Sequence, residues 1–239
     1  MEFPTTHWSQ LAAATLHGDQ GASGALAEFY RRYREPVIAF IRRRGGDPSR
    51  AEDLAHDFFL HLIEKSTLAR ADAAKGRFRS FLLGTLVRFL RDAREREQAA
   101  KRGGGLPVVS LDAEADSPLG PAVEPVAAAE FDREWAVQVL ALACERLDAE
   151  FREKDRAADF AVLRAFLPGG VAPPPYEEGA ARLGLTLGAF KTEVHRLRQR
   201  FRGCLREELA RTVASPEEID GEMAYLGRVL QGAAGGRTT

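Results

Sequence analysis

The sequence predicts an all-α protein: two small helical domains joined by a flexible acidic linker. Three observations predict it. Apolar residues recur at helical spacing nearly throughout, and no stretch alternates convincingly like a strand. A Gly-, Pro- and acid-rich segment, RGGGLPVVSLDAEADSPLGPAVEPVAAAE (102–130), separates two helical blocks and reads as a linker. In the second block, YEEGAARLGLTLGAFKTEVHRLRQRFR (176–202) reads as a short helix stopped by a glycine, with a longer basic helix starting a few residues later.

The elements follow in order. Thr6 is placed to cap a short helix through Leu16, in an N-terminal segment of residues 1–20. The first domain is expected over 21–101. Its first long helix spans about Gly24 to Arg44, with Leu26, Phe29, Tyr30, Tyr33, Val37, Phe40 and Ile41 on one stripe and a kink at Pro36. GGDP (45–48) is a break. A helix over Ser49–Lys65 turns Ala51, Leu54, Phe58 and Leu62 inward, and 66–76 is an irregular link ending at Gly76. Phe78–Ala100 is a long helix with Phe81, Leu82, Leu86, Phe89 and Leu90 inward.

The linker follows over 102–130, and the second domain over 131–211. Its first helix carries Phe131, Trp135, Val139, Leu142 and Leu147 on one face, and a second runs from about Asp155 to Phe166. PGGVAPPP (168–175) is a hard stop. Tyr176–Leu183 is then a short helix ended at Gly184, which takes the left-handed conformation at no steric cost. Thr186 is placed to cap the next helix. Ser215 and Pro216 read as N-cap and first helical residue of an extension over 212–239, whose apolar side should pack on the second domain.

Charge is unevenly spread. The net charge is only −1, which excludes a blanket polyanion binder. Yet Lys75–Arg102 holds nine Lys/Arg against three acids, and Lys191–Arg206 six against one, while Asp112–Asp155 holds four against twelve. Two basic segments flanking an acidic one suggest nucleic-acid contact at two places, against the commoner reading of solvated helix faces. Cys144 and Cys204 both fall in helical, partly apolar patterns and read as reduced small hydrophobes. No apolar run approaches the ~20 residues that span a bilayer, and MEFPTTHWSQ has no basic region followed by an apolar core. A cytosolic location is expected.

In the long helix after Gly184, Phe190, Val194, Leu197 and Phe201 recur at i, i+4, i+7 and i+11 and form its buried stripe. The other face carries Gly188, Lys191, Thr192, His195, Arg196 and Gln199, with Thr186 at its start: donors small or long enough to enter a major groove. Arg198, Arg200 and Arg202 flank that face and suit phosphates.

These residues resemble the DNA-binding region four of bacterial extracytoplasmic-function sigma factors of RNA polymerase. The resemblance rests on Tyr176, Glu177, Glu178, Ala180, Leu183, Gly184, Thr186, Gly188, Lys191, His195, Arg196 and Arg198. It departs at Gly179, where the pattern has an apolar residue. That departure is expected to weaken the short helix and remove a core contact.

The first domain is similar to sigma region two. LAEFYRRYREPVIAFIRRRGGDPSRAEDLAHDFFLHLIEK (26–65) resembles its first half, and GRFRSFLLGTLVRFLRDARERE (76–97) resembles the helix that opens and reads the downstream promoter element. FPTTHW (3–8) looks like the start of a divergent subgroup, and Trp8 is expected to pack onto the first domain.

The resemblance implies a protein that catalyses nothing and needs no cofactor or metal. It implies binding to core RNA polymerase, through the largest-subunit clamp helices and the flap, and to promoter DNA, with an anti-sigma factor or other regulator as a further partner class. It places core-polymerase contact on Glu52, Asp53, His56 and Asp57. His56 stands where the family usually has glutamine.

Downstream-element contact and melting fall on Arg77, Phe78, Arg79, Arg88, Arg91 and Arg94. Cations there would hold phosphates and aromatics would stack on bases. Phe81 and Phe89, at core spacing, read as packing residues. Phe81 replaces a common tryptophan and Arg88 an asparagine, so the sequence preference stays open. The acidic linker reads equally as a plain spacer or as a segment threading polymerase channels.

Other classes fit less. A stand-alone helix-turn-helix regulator would leave the first domain unexplained. An enzyme lacks any Ser/His/Asp set, phosphate-cradling glycine loop or complete metal set. Asp53, Asp57 and His61 share one helix face, which supplies at most three ligands.

Overall fold

The computed structural model describes residues 20–44, 47–64, 67–70, 78–101, 125–168, 172–213 and 215–234. All of its regular elements among these are helical. They are α1 Gln20–Arg43, α2 Pro48–Glu64, a 3-10 turn Thr67–Arg70, α3 Phe78–Lys101, α4 Pro125–Arg152, α5 Ala157–Leu163, a 3-10 turn Arg164–Phe166, α6 Tyr176–Arg182, α7 Leu187–Ala210 and α8 Glu218–Ala234. The chain divides into two compact units, with the break inside α4 between Trp135 and Ala136. The short helix expected from Thr6, the packing of Trp8, and Arg77 lie outside the described residues.

The first unit is organised by aromatic rings. Phe29, Tyr33, Phe58, Phe59, Phe78 and Phe89 are all buried. Phe29 meets Phe59 at 5.5 Å and Phe78 at 5.8 Å, both edge-on, and Phe58 meets Phe89 at 5.5 Å. Edge-on pairs match the ring quadrupoles and add to the area they bury. α1 runs unbroken past Pro36. The proline removes one backbone bond, and the buried stripe on both sides of it, from Phe29 to Ile41, holds the helix together. α2 starts one residue earlier than the sequence suggests, with Pro48 of the expected break at the first helical position: Asp47 accepts at Oδ2 from the Arg50 N–H at 3.4 Å and at its carbonyl from Ala51 at 2.8 Å.

Glu28 on α1 is a charged anchor. Its carboxylate accepts from Arg31 at 3.2 Å and from the buried Arg32 at 2.8 Å. Burial alone would raise its pKa, but the two guanidinium hydrogen bonds outweigh it and hold the carboxyl down to about 2. The folded pKa lies below the unfolded one, so the contribution is present above about pH 4.5 and is lost as pH falls toward 2. Glu28→Gln should therefore flatten the acid limb of thermal stability in that window, measured as Tm against pH. An unchanged acid limb would contradict it.

α4 begins at Pro125, inside the span read as linker. The sequence explains this in hindsight: PVAAAE offers proline at the first helical position and three alanines, and Ala127 is buried. α4 and α5 are separated by Asp155, which has φ 55, a left-handed conformation that Asp tolerates better than most side chains. Arg156 N–H closes the turn on the Phe151 carbonyl at 2.9 Å.

The core of the second unit is Leu147, Phe160, Leu163, Phe166, Phe190, Leu197 and Leu209 with their neighbours. Cys144 and Cys204 are free thiols, and burial pushes both pKa values up, in keeping with inert hydrophobes. α8 packs on α7, and its Ile219 and Leu226 are buried. It starts at Glu218, two residues later than Pro216, the first helical residue the sequence suggests, because 215–217 form a turn in which the Glu218 N–H meets the Ser215 carbonyl at 3.2 Å. Two such side chains contribute roughly 1.5–3 kcal/mol each on burial. Deleting 212–239 should lower the Tm of the second unit by roughly 10 °C or more, and an unchanged melting curve would refute the packing.

A candidate nucleic-acid interface

The second unit presents its candidate site on α6, a four-residue turn (183–186) and α7. Gly184 has φ +64. Its N–H bonds the Ala181 carbonyl at 3.2 Å, and the Leu185 N–H bonds the Ala180 carbonyl at 2.9 Å. That pair of bonds is a Schellman stop, which needs a left-handed residue where glycine stands. Thr186 then caps α7: its hydroxyl oxygen accepts from the Ala189 N–H at 3.2 Å. Thr186→Ala should cost about 1 kcal/mol, read as a shift in the urea midpoint, and no shift would mean the cap is idle.

Gly179 corrects the sequence expectation. It is buried, and a Cβ built there would lie 2.3 Å from Phe190 Cζ and 3.0 Å from Phe166 Cζ. The core contact is not missing. Phe166, Tyr176 and Phe190 fill the space, with ring centroids 5.0 to 6.0 Å apart and edge-on. The bare backbone of α6 lies against the Phe190 ring.

α7 divides as the spacing predicts. Phe190, Val194, Leu197 and Phe201 are buried. Thr186, Gly188, Lys191, Thr192, His195, Arg196 and Gln199 are all exposed. The Thr192 hydroxyl donates to the Gly188 carbonyl at 3.1 Å, which leaves its oxygen as an acceptor. Arg196 meets Glu193 at 3.1 Å with its side chain 70% exposed. An exposed i,i+3 pair is weak, so this guanidinium can exchange its partner for another acceptor. The three flanking arginines differ from one another. Arg198 donates from Nε to the Phe166 carbonyl at 3.0 Å, and Arg200 pairs with Glu150. All three are exposed, and the Arg200 pair, like that of Arg196, is a surface pair that can exchange its partner.

On the first unit, α2 turns Glu52, Asp53, His56 and Asp57 outward. Glu52 is held by Arg42 at 2.9 Å and Arg34 at 3.7 Å. Leu60 and Ile63, 43% and 37% exposed, extend this acidic face. Neither residue is among the contact residues that the sequence points to. Their signal was spacing: they follow His56 and Asp57 at i+3, i+4 and i+7, off the Phe58–Leu62 stripe. His61 instead lies half-buried with its ring 5.5 Å from Phe89, and no group able to hold a metal occurs among the described residues.

The basic start of α3 is also corrected. Phe78 is 3% exposed and Arg79 5% exposed, so neither offers itself to a nucleic-acid strand here. Phe78 packs on Phe29 and Tyr33, while Arg79 turns toward Asp132 and Trp135. Arg88 is half-buried, and Arg91 and Arg94 are exposed farther along.

Comparison with known proteins adds one finding. Residues 29–100 match the family model Sigma-70 region 2, a match that spans α1 from Phe29 through almost all of α3. No curated protein and no solved structure matches the chain. No helix among the described residues is long and apolar enough to cross a membrane.

Proposed function

We propose that this chain is a sigma factor of the extracytoplasmic-function type. It binds core RNA polymerase through its first unit, reads an upstream promoter element through α7, and helps to melt and read a downstream element through α3. The observation that carries this reading is the Sigma-70 region 2 match, which supports a role in polymerase binding and promoter melting. A helix-turn-helix with an exposed polar and basic face in the same chain adds the second reading head.

The roles divide by chemistry. Glu52, Asp53, His56 and Asp57, with Leu60 and Ile63, form a face that is acidic with an apolar margin. Such a face suits a basic helical partner, with charge setting encounter rate and register and the apolar margin adding buried area. The clamp helices of the largest polymerase subunit are the proposed partner. On α7, Lys191, Arg196 and Gln199 reach for base edges and phosphates. Arg91 and Arg94 of α3 serve the strand backbone. The protein itself carries out no catalysis, and its work with polymerase and promoter DNA assigns it to the cytoplasm.

The polymerase contact is tested by Leu60→Asp with Ile63→Asp. Both positions are exposed, so folding should be unaffected while capture of core polymerase falls at least tenfold. Unchanged capture would move the docking face elsewhere.

A further inference from the structure

The first turns of α4 do more than continue the chain. Ala127, Phe131 and Trp135 are buried within the first unit. Phe131 meets Phe40 edge-on at 5.9 Å. Glu134 pairs with Arg43. Asp132 lies 2.8 Å from Nε of Arg79, and the Arg79 guanidinium carbon sits 4.6 Å above the Trp135 ring. Asp132 and Trp135 are three residues apart and so share a helix face.

Arg79 thus meets an anion and a flat π-face side by side. A single-stranded nucleotide offers the same two groups, a phosphate and a base, and guanidinium groups bind nucleic acid through both. Arg79 also stands in the Arg/Phe segment of α3 whose composition suits a displaced strand.

We propose that residues 125–135 are an intramolecular cover that mimics a nucleotide on Arg79, and that the cover lifts when single-stranded promoter DNA is bound. One detail marks the contact as built for release. Trp135 Nε1 is buried with no hydrogen-bond partner among the described residues. An orphaned buried donor carries a desolvation cost, and lifting the cover returns it to water. The acids of the preceding segment, Asp112, Glu114, Asp116 and Glu124, add negative charge in sequence next to the cover.

This inference rests on the sigma-factor reading. It is tested with the full chain and a fluorescein-labelled single-stranded oligonucleotide of mixed sequence, by anisotropy across a salt series. Asp132→Asn keeps the side-chain shape and removes the charge. It should raise affinity severalfold and steepen the dependence of log K on log salt by about 0.7, the increment for one freed cation on a single strand. Adding Arg79→Gln should cancel the gain. Unchanged affinity and slope in Asp132→Asn, or a gain that survives Arg79→Gln, overturns the cover.

A second readout uses the unmodified chain. Amides of 125–135 should lose hydrogen-exchange protection when core polymerase and single-stranded promoter DNA are added. Protection that stays unchanged in that complex overturns the proposal even if the substitution disturbs folding. The two readings fail separately. If core polymerase carries the chain to promoters and both cover tests are negative, only the cover falls. If core polymerase does not bind the chain at all, the sigma-factor reading falls and the cover with it.

Discussion

Gly179→Leu is expected to destabilise the second unit by about 3 kcal/mol, the upper range for forcing a side chain into a filled core. An apolar residue is what the sigma pattern carries at this position, so the sequence alone would call the change an improvement. Helix propensity agrees, favouring leucine over glycine by up to ~1 kcal/mol. Packing decides the other way. The first atom of any side chain would sit 2.3 Å from a ring carbon of Phe190, whose side chain is fully buried. The ring has nowhere to go, because Phe166 and Tyr176 close on it edge-on.

The loss should appear as a fall in Tm of roughly 10–20 °C. It should also weaken DNA binding, since Phe190 anchors the start of α7 under Lys191. The double variant Gly179→Leu with Phe190→Ala should recover part of the loss, because the ring that blocks leucine is gone. A single variant as stable as the parent would contradict the close packing.

The second large effect is expected on α7 itself. Lys191→Ala or Arg196→Ala should weaken binding of the upstream element. A base-edge contact is worth ~1–3 kcal/mol and its loss relaxes one position of the site. A phosphate contact weakens all sequences alike and lowers the salt slope by about 1. Both side chains are exposed, so thermal stability should hold. Arg198→Ala provides the contrast. Its Nε is engaged with the Phe166 carbonyl, so its removal should lower stability and affect DNA binding mainly through that loss. If Lys191→Ala and Arg196→Ala both leave the parent's transcription intact, the groove-facing assignment is wrong.

Local chemistry was legible in the sequence wherever one residue type has one conformational use. Gly184 and Thr186 announced the stop of α6 and the cap of α7, because only a left-handed glycine and a hydroxyl acceptor do those jobs cheaply. The i, i+4, i+7 stripe of α7 fixed which of its faces is buried. Spacing failed where the deciding partner is distant in the chain. Gly179 reads as a defect until Phe190 and Phe166 are seen against it. Phe78 and Arg79 read as a strand-binding pair because alternating arginine and phenylalanine suits nucleic acid. Their burial depends on Phe29 and Tyr33 from α1 and on Asp132 and Trp135 from α4. The start of α4 was hidden by its proline, which reads as a breaker in a linker and as a first helical residue in front of three alanines. Asp155 gave little warning, since a left-handed aspartate has no sequence mark of its own.

The central claim is that this chain directs RNA polymerase to promoters. Run-off transcription tests it most directly, with purified bacterial core polymerase, the full chain and a library of genomic fragments. The account predicts discrete new start sites that depend on the chain, with yields falling for Lys191→Ala and for the Leu60→Asp, Ile63→Asp pair. No binding to core polymerase and no chain-dependent start sites, with tight binding of duplex DNA by the chain alone, would contradict it and identify a stand-alone helix-turn-helix regulator.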